Sequence, residues 1–114
     1  MLKPRYQTED IQKVLGRLGI TMRYIGYHYA EAALLLLRED ESKMYSVTKC
    51  LYPEIARKYA TSISAVERDI RTLSLVAWKH RRQILEEMAG HPLEKRPTSS
   101  HFLAILYAGL IHEL

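Results

Sequence analysis

Apolar residues in this chain return every three or four positions and nowhere alternate over a sustained run. That spacing is the period of an α-helix that buries one face, and it leaves no segment patterned as a half-buried strand. Only five glycines punctuate the 114 residues. The expected fold class is therefore all-α, a single helical domain over residues 1–114, because a chain this long supports one core and little else.

Six helices are expected. Thr8 is placed to cap the first, with Glu9 and Asp10 in its first turn, Ile11, Val14, Leu15 and Leu18 on one face and Gly19 as its stop. A second over 26–39 buries Ala30, Ala33, Leu34 and Leu37, its four consecutive leucines implying burial nearly all round. A third, capped by Ser46, covers 47–60 with Ile55, Ala56 and Tyr59 inward, and Pro53 kinks or splits it near Tyr52. The fourth starts at a cap on Ser62 or Ser64 and runs to residue 79 on the stripe Ile63, Val66, Ile70, Leu73 and Ala77. A short fifth over 82–89 ends at Gly90, and Pro97 precedes a last helix over 99–114.

That last helix is apolar over roughly two-thirds of its circumference, more than one core face requires. Two readings follow, a central buried helix and a helix whose far side meets a second subunit. On the second reading Phe102, Ile105, Leu106 and Leu110 are the candidate dimer contacts.

The segment over about 47–79 has the spacing of a helix-turn-helix. Ala56 stands where the two helices must approach, Ala60-Thr61-Ser62 is a short polar turn, and Val66 locks the second helix onto the first. Opposite the buried stripe of the fourth helix, projection collects Ser64, Ala65, Arg68, Arg71 and Thr72, with Glu67 at the edge. Arginine can bond guanine O6 and N7 bidentately, and glutamate can accept from cytosine N4. Glu67, Arg68 and Arg71 are thus the candidate base readers, although Glu67 and Arg71 are also spaced as an ordinary i,i+4 surface ion pair.

Charge supports this placement. The net charge is +4, and residues 42–82 hold nine basic residues against three acidic ones, a net +6 that leaves −2 for the rest. Lys43, Lys49, Arg57, Lys58, Lys79, Arg81 and Arg82 flank the expected groove as candidate phosphate contacts, and Ser64 and Thr72 are grouped with them as phosphate or other DNA contacts. A solvated helix face gives a similar count. Tyr24, Tyr27, Tyr29, Tyr52 and Tyr59 fall at core spacing and read as packing residues rather than base-stacking platforms.

No nucleophile with its base, phosphate loop or metal motif appears at a working spacing, so no enzyme and no cofactor are expected. The five histidines, His28, His80, His91, His101 and His112, include no pair three or four apart, and one cysteine cannot build a zinc finger. Cys50, in an apolar context, reads as a small buried thiol in a reducing compartment. The start of the chain lacks the features of a signal peptide, and the longest apolar run, 32–37, is too short to cross a bilayer, which points to the cytoplasm. The alternative from another class is a basic helical module that binds an acidic protein without base preference.

The blocks Gly26-Tyr27-His28-Tyr29, Leu51-Tyr52-Pro53-Glu54-Ile55-Ala56-Arg57-Lys58-Tyr59, Val66-Glu67-Arg68-Asp69-Ile70-Arg71, Val76-Ala77-Trp78 and Arg96-Pro97-Thr98-Ser99 together resemble one family. It is the C-terminal effector domain of the stage-zero sporulation response regulator A of endospore-forming Firmicutes. The resemblance runs from about Ile11 to the C-terminus. It implies a six-helix DNA-binding transcription factor domain that reads a TGTCGAA-type element, pairs head to tail on tandem sites through its last helix, and touches the sigma subunit of RNA polymerase, here through about 75–88. By position it assigns base reading to Glu67, Arg68 and Arg71 and places Ser64 at the start of the recognition helix. Ala65 and Thr72 depart from the arginine and histidine usual there. The family also joins this domain to an N-terminal receiver, which is not found in this chain.

Overall fold

The structure, a computed structural model, describes residues 6–113. Among them every regular element is helical: α1 (Thr8–Arg17), α2 (Ile25–Glu39), a 3-10 helix (Glu41–Ser46), α3 (Val47–Cys50), α4 (Tyr52–Lys58), α5 (Ile63–His80), α6 (Arg82–Ala89) and α7 (Ser99–Glu113). Leu114, the last apolar position of the expected final helix, lies outside the described residues.

The seventh α-helix comes from the break anticipated around Pro53. It falls at Leu51, so Pro53 sits in the first turn of α4, where a missing N–H costs no intrahelical bond. Two further expectations change with it. Cys50 ends α3 on the outer side of the break and is exposed rather than buried. Ser46 makes no side-chain cap, because the 3-10 helix runs straight into α3.

At the start of α1 the cap is Gln7, not Thr8. Its backbone N–H donates to Asp10 Oδ2 at 2.7 Å, which closes a capping box and places Thr8 inside the first turn. Gly19 ends the helix at φ 77°, with Ile20 N–H donating to the Leu15 carbonyl at 3.0 Å. Gly90 ends α6 in the same left-handed region.

One apolar core joins all seven helices. Leu34 and Leu37 of α2 are buried and Leu35 and Leu36 half-buried, so the leucine run is covered on two sides, not all round. α7 packs against α1, α2, α5 and α6. Phe102, Ile105, Leu106 and Leu110 all lie inside this core, none more than 3% exposed, so the expectation that they meet a second subunit is corrected. Among the described side chains, the surface of α7 is left to Ser100, His101, Ala104, Ala108, Ile111 and His112.

Three buried hydroxyl groups find partners across elements. Tyr6 is fully buried, its hydroxyl donating to the Leu34 carbonyl and its ring set edge-on to Tyr107. Tyr52 of α4 donates to Ser99 Oγ of α7 at 2.7 Å, and Ser74 of α5 donates to the Pro97 carbonyl at 2.7 Å. These two bonds tie the helix pair α4–α5 to the loop that leads into α7, so the functional segment is held from behind by the core.

Candidate nucleic-acid interface

The turn between α4 and α5 is built by its backbone. Thr61 N–H donates to the Ala56 carbonyl at 2.9 Å and Ala60 N–H to the Arg57 carbonyl at 3.3 Å, the paired bonds of a Schellman ending. That ending needs a left-handed residue, and Ala60 takes it at φ 53°. Ser62 then caps α5, its Oγ accepting from Ala65 N–H at 3.1 Å. With α4 packed on α5 and both Ala56 and Val66 buried, α4, the turn and α5 have the arrangement of a helix-turn-helix.

Behind α5 stands α2, and the two meet closely at Gly26. A Cβ placed on Gly26 would lie 2.2 Å from the Asp69 carbonyl oxygen and 3.1 Å from Leu73 Cγ. No other residue fits that crossing, so Gly26 sets the depth at which α5 seats. Reading the sequence marks Gly26 only as the start of a helix.

Val66, Ile70, Leu73 and Ala77 of α5 are fully buried. Ile63, assigned to the same stripe, is 42% exposed, because it begins the helix where the turn leaves it uncovered. The opposite face carries Ser64, Arg68, Arg71, Thr72 and Lys79, all exposed, with Ala65 and Glu67 half-buried beside them. At 3.6 residues per turn Ser64, Arg68, Arg71 and Lys79 share one side of the helix. Arg71 Nη1 lies 3.4 Å from Glu67 Oε1, the i,i+4 pair, and Arg68 Nε donates to Asp69 Oδ1 at 3.3 Å. Each arginine is thus tethered by one nitrogen, which orients the side chain along the face without occupying the whole guanidinium.

The flanking cations divide by what already holds them. Lys49, Arg57 and Lys79 are exposed, and Lys58 is exposed with its ammonium 5.4 Å from the Tyr59 ring. Lys43 pairs with Glu54 at 3.7 Å, and Arg81 Nη1 donates to the His80 carbonyl while its side chain lies along Gly19. Arg82 is engaged on three sides: its guanidinium sits 3.9 Å over the Trp78 ring, Nη2 donates to the Leu93 carbonyl at 2.6 Å, and Nε lies 3.4 Å from Glu86 Oε2. Glu86 accepts from Leu93 N–H at 2.7 Å, and that bond, helped by Arg82, holds its carboxyl below the usual range. Arg82 therefore anchors the 90–98 loop to α6 while its side chain stays half exposed.

The tyrosines pack. Tyr27, Tyr29 and Tyr52 are buried, Tyr24 is half-buried, and the partly exposed Tyr59 sets its ring edge-on to Tyr29 at 5.2 Å instead of turning inward. Burial raises the Tyr52 phenol pKa, so it remains a neutral donor to Ser99. Among the described residues no group of three His, Cys, Asp or Glu side chains is placed to hold a metal ion, and no helix is long and apolar enough to cross a membrane.

Residues 11–110 match the family model described as sporulation initiation factor Spo0A C terminal. The match takes in α2, both helices of the helix-turn-helix, the Gly26 crossing and nearly all of α7. The chain belongs to the Spo0A C-terminal family, a non-enzymatic, DNA-binding effector domain of transcription regulation in sporulation.

Proposed function

We propose that α5 enters the major groove of a TGTCGAA-type promoter element, with Arg68 and Arg71 donating to guanines and Glu67 orienting Arg71 or accepting from cytosine. The observation that carries this reading is the division of α5 into a fully buried apolar side and an exposed side holding Ser64, Arg68, Arg71, Thr72 and Lys79. Ser64, next to the capped N-terminus, and Lys49, Arg57, Lys58, Lys79 and Arg81 fix the register on phosphates. The domain acts in the cytoplasm. A second copy docks on tandem sites through what α7 leaves exposed, centred on Ile111, and the sigma subunit meets the surface over 75–88.

Fluorescence anisotropy on a TGTCGAA duplex and a scrambled duplex, each at two salt concentrations, tests the reading. The expected result is at least a tenfold preference, about 1.4 kcal/mol, that survives added salt. Arg71→Ala lowers cognate affinity by about 1–3 kcal/mol and relaxes one base preference. Lys79→Ala weakens both duplexes alike and reduces the salt slope by about 0.9. Equal loss on both duplexes for Arg71→Ala refutes base reading, and equal salt-dependent binding of both duplexes by the unaltered chain favours a basic protein-interaction module.

A further inference from the structure

Thr72 stands on the exposed face of α5 one turn beyond Arg68, yet its hydroxyl turns inward. Oγ1 donates to the Arg68 carbonyl oxygen at 3.1 Å. This is the back-bond that helical threonine makes to the residue four positions earlier, and it uses the only proton the side chain can donate. A β-branched side chain has few rotamers, so holding Oγ1 against the backbone also holds the methyl group in place. What Thr72 offers a partner is therefore a fixed methyl, beside an Oγ1 that can still accept but no longer donate.

Its surroundings give that methyl a neighbour that reads guanine. Arg68 precedes it on the same side of the helix, 61% exposed, with Nε held by Asp69 and its terminal nitrogens in no hydrogen bond with it. Ala65, three residues before Arg68, adds a second methyl to the same row. Among the base edges of the major groove only thymine carries a methyl group, at C5, and an apolar contact with it is how a methyl-bearing side chain gains sequence preference there. Four residues of helix advance about 6 Å, close to two base-pair steps.

We propose that Thr72 is a specificity-determining residue that selects thymine through its 5-methyl group, within about two base pairs of the guanine contacted by Arg68. The inference rests on the reading of α5 as the helix that enters the major groove. It makes the contact apolar, where an exposed threonine on a recognition face would otherwise be read as a hydrogen-bond donor.

The test begins with selection of preferred duplexes from a random pool by the unaltered chain, followed by replacement of each thymine in the selected site with deoxyuridine, which lacks only the methyl. One replacement is expected to lower affinity about fourfold, the worth of one buried methyl-sized group. Thr72→Val, which keeps a methyl and loses the hydroxyl, retains both the affinity and the deoxyuridine penalty. Thr72→Ser, which keeps the hydroxyl and loses the methyl, binds the thymine duplex about fourfold more weakly and no longer distinguishes deoxyuridine. Selection that yields a clear site but no penalty at any thymine overturns the inference and leaves base reading by α5 standing. Loss of binding in Thr72→Val with retention in Thr72→Ser overturns it in favour of a hydroxyl contact. Selection that yields no preferred sequence removes the major-groove reading, and the inference falls with it.

Discussion

Gly26→Ala is a one-carbon test of how α5 is seated. In a helix interior alanine is favoured over glycine by about 1 kcal/mol, an upper bound for Gly26, the second residue of α2. At Gly26 the added carbon would stand 2.2 Å from the Asp69 carbonyl oxygen and 2.8 Å from its carbon. A carbon normally approaches a carbonyl oxygen no closer than about 3.3 Å, so α2 and α5 must separate by about 1 Å. Neither partner is a flexible side-chain end, and the shift has to be taken by two helix backbones. Overpacking of this kind costs about 1–3 kcal/mol and outweighs the propensity gain. Gly16→Ala is the control: nothing lies within 4 Å of its Cβ position, so the propensity term acts alone and stabilises by up to about 1 kcal/mol.

Urea unfolding at constant m-value measures both variants. Opposite signs are expected, with Gly26→Ala lowering the melting temperature by about 4–8 °C for each kcal/mol lost. Gly26→Ala also moves Arg68 and Arg71 relative to α4 and the phosphate contacts, so cognate DNA affinity falls more than nonspecific affinity. If Gly26→Ala is as stable as Gly16→Ala and binds the cognate duplex unchanged, the Gly26 crossing does not set the position of α5.

Three more outcomes are expected. Ala60→Gly relieves a side chain held at φ 53° and stabilises by about 0.5–1 kcal/mol after the greater freedom of the unfolded glycine is counted, read as a higher urea midpoint. Burial, and then the bond and charge of Glu41, push the Tyr107 phenol up to about 12. Because an unfolded tyrosine ionises near 10, the unfolded chain loses this proton first, so stability is retained below about pH 10 and declines as pH rises from 10 to 12. Urea midpoints against pH check it, with Tyr107→Phe making that decline shallower while Tyr6, Tyr27 and Tyr52, also raised by burial, keep the rest. Arg82→Ala loosens the 90–98 loop by removing the Trp78, Leu93 and Glu86 contacts, so it lowers the thermal midpoint and leaves the salt slope of DNA binding unchanged.

The parts of the fold legible in the sequence are those fixed by local chemistry. Ser62 before an apolar stripe, Gly19 and Gly90 after one, and Pro53 inside one each act within a turn or two, and each marks a real boundary or break. What stayed hidden depends on contacts distant in sequence. Gly26 has meaning only beside the Asp69 carbonyl, and Arg82 only beside Trp78 and Leu93. Counting Arg82 with the phosphate contacts follows naturally from its charge, since composition cannot distinguish a cation facing solvent from one closed over an aromatic ring. Ala60 was legible as a turn position, but its left-handed backbone was not, because alanine gives no sign of it.

The apolar circumference of α7 shows where helix patterning stops being informative. The width of an apolar arc reports how many neighbours a helix has, and it does not say whether they belong to the same chain. α7 has α1, α2, α5 and α6 around it, enough to cover Phe102, Leu103, Ile105, Leu106, Tyr107 and Leu110 without a second subunit. The excess that suggested a dimer is therefore consumed inside the domain. Among the described residues, any copy that docks on α7 meets a narrow strip with Ile111 as its exposed large apolar side chain, far short of the area a stable interface buries. Pairing through α7 must then draw on DNA to hold the two copies together, so gel filtration at micromolar concentration should give a monomer, and a tandem duplex should be filled cooperatively. A stable dimer in the absence of DNA would mean that a different face of the domain associates.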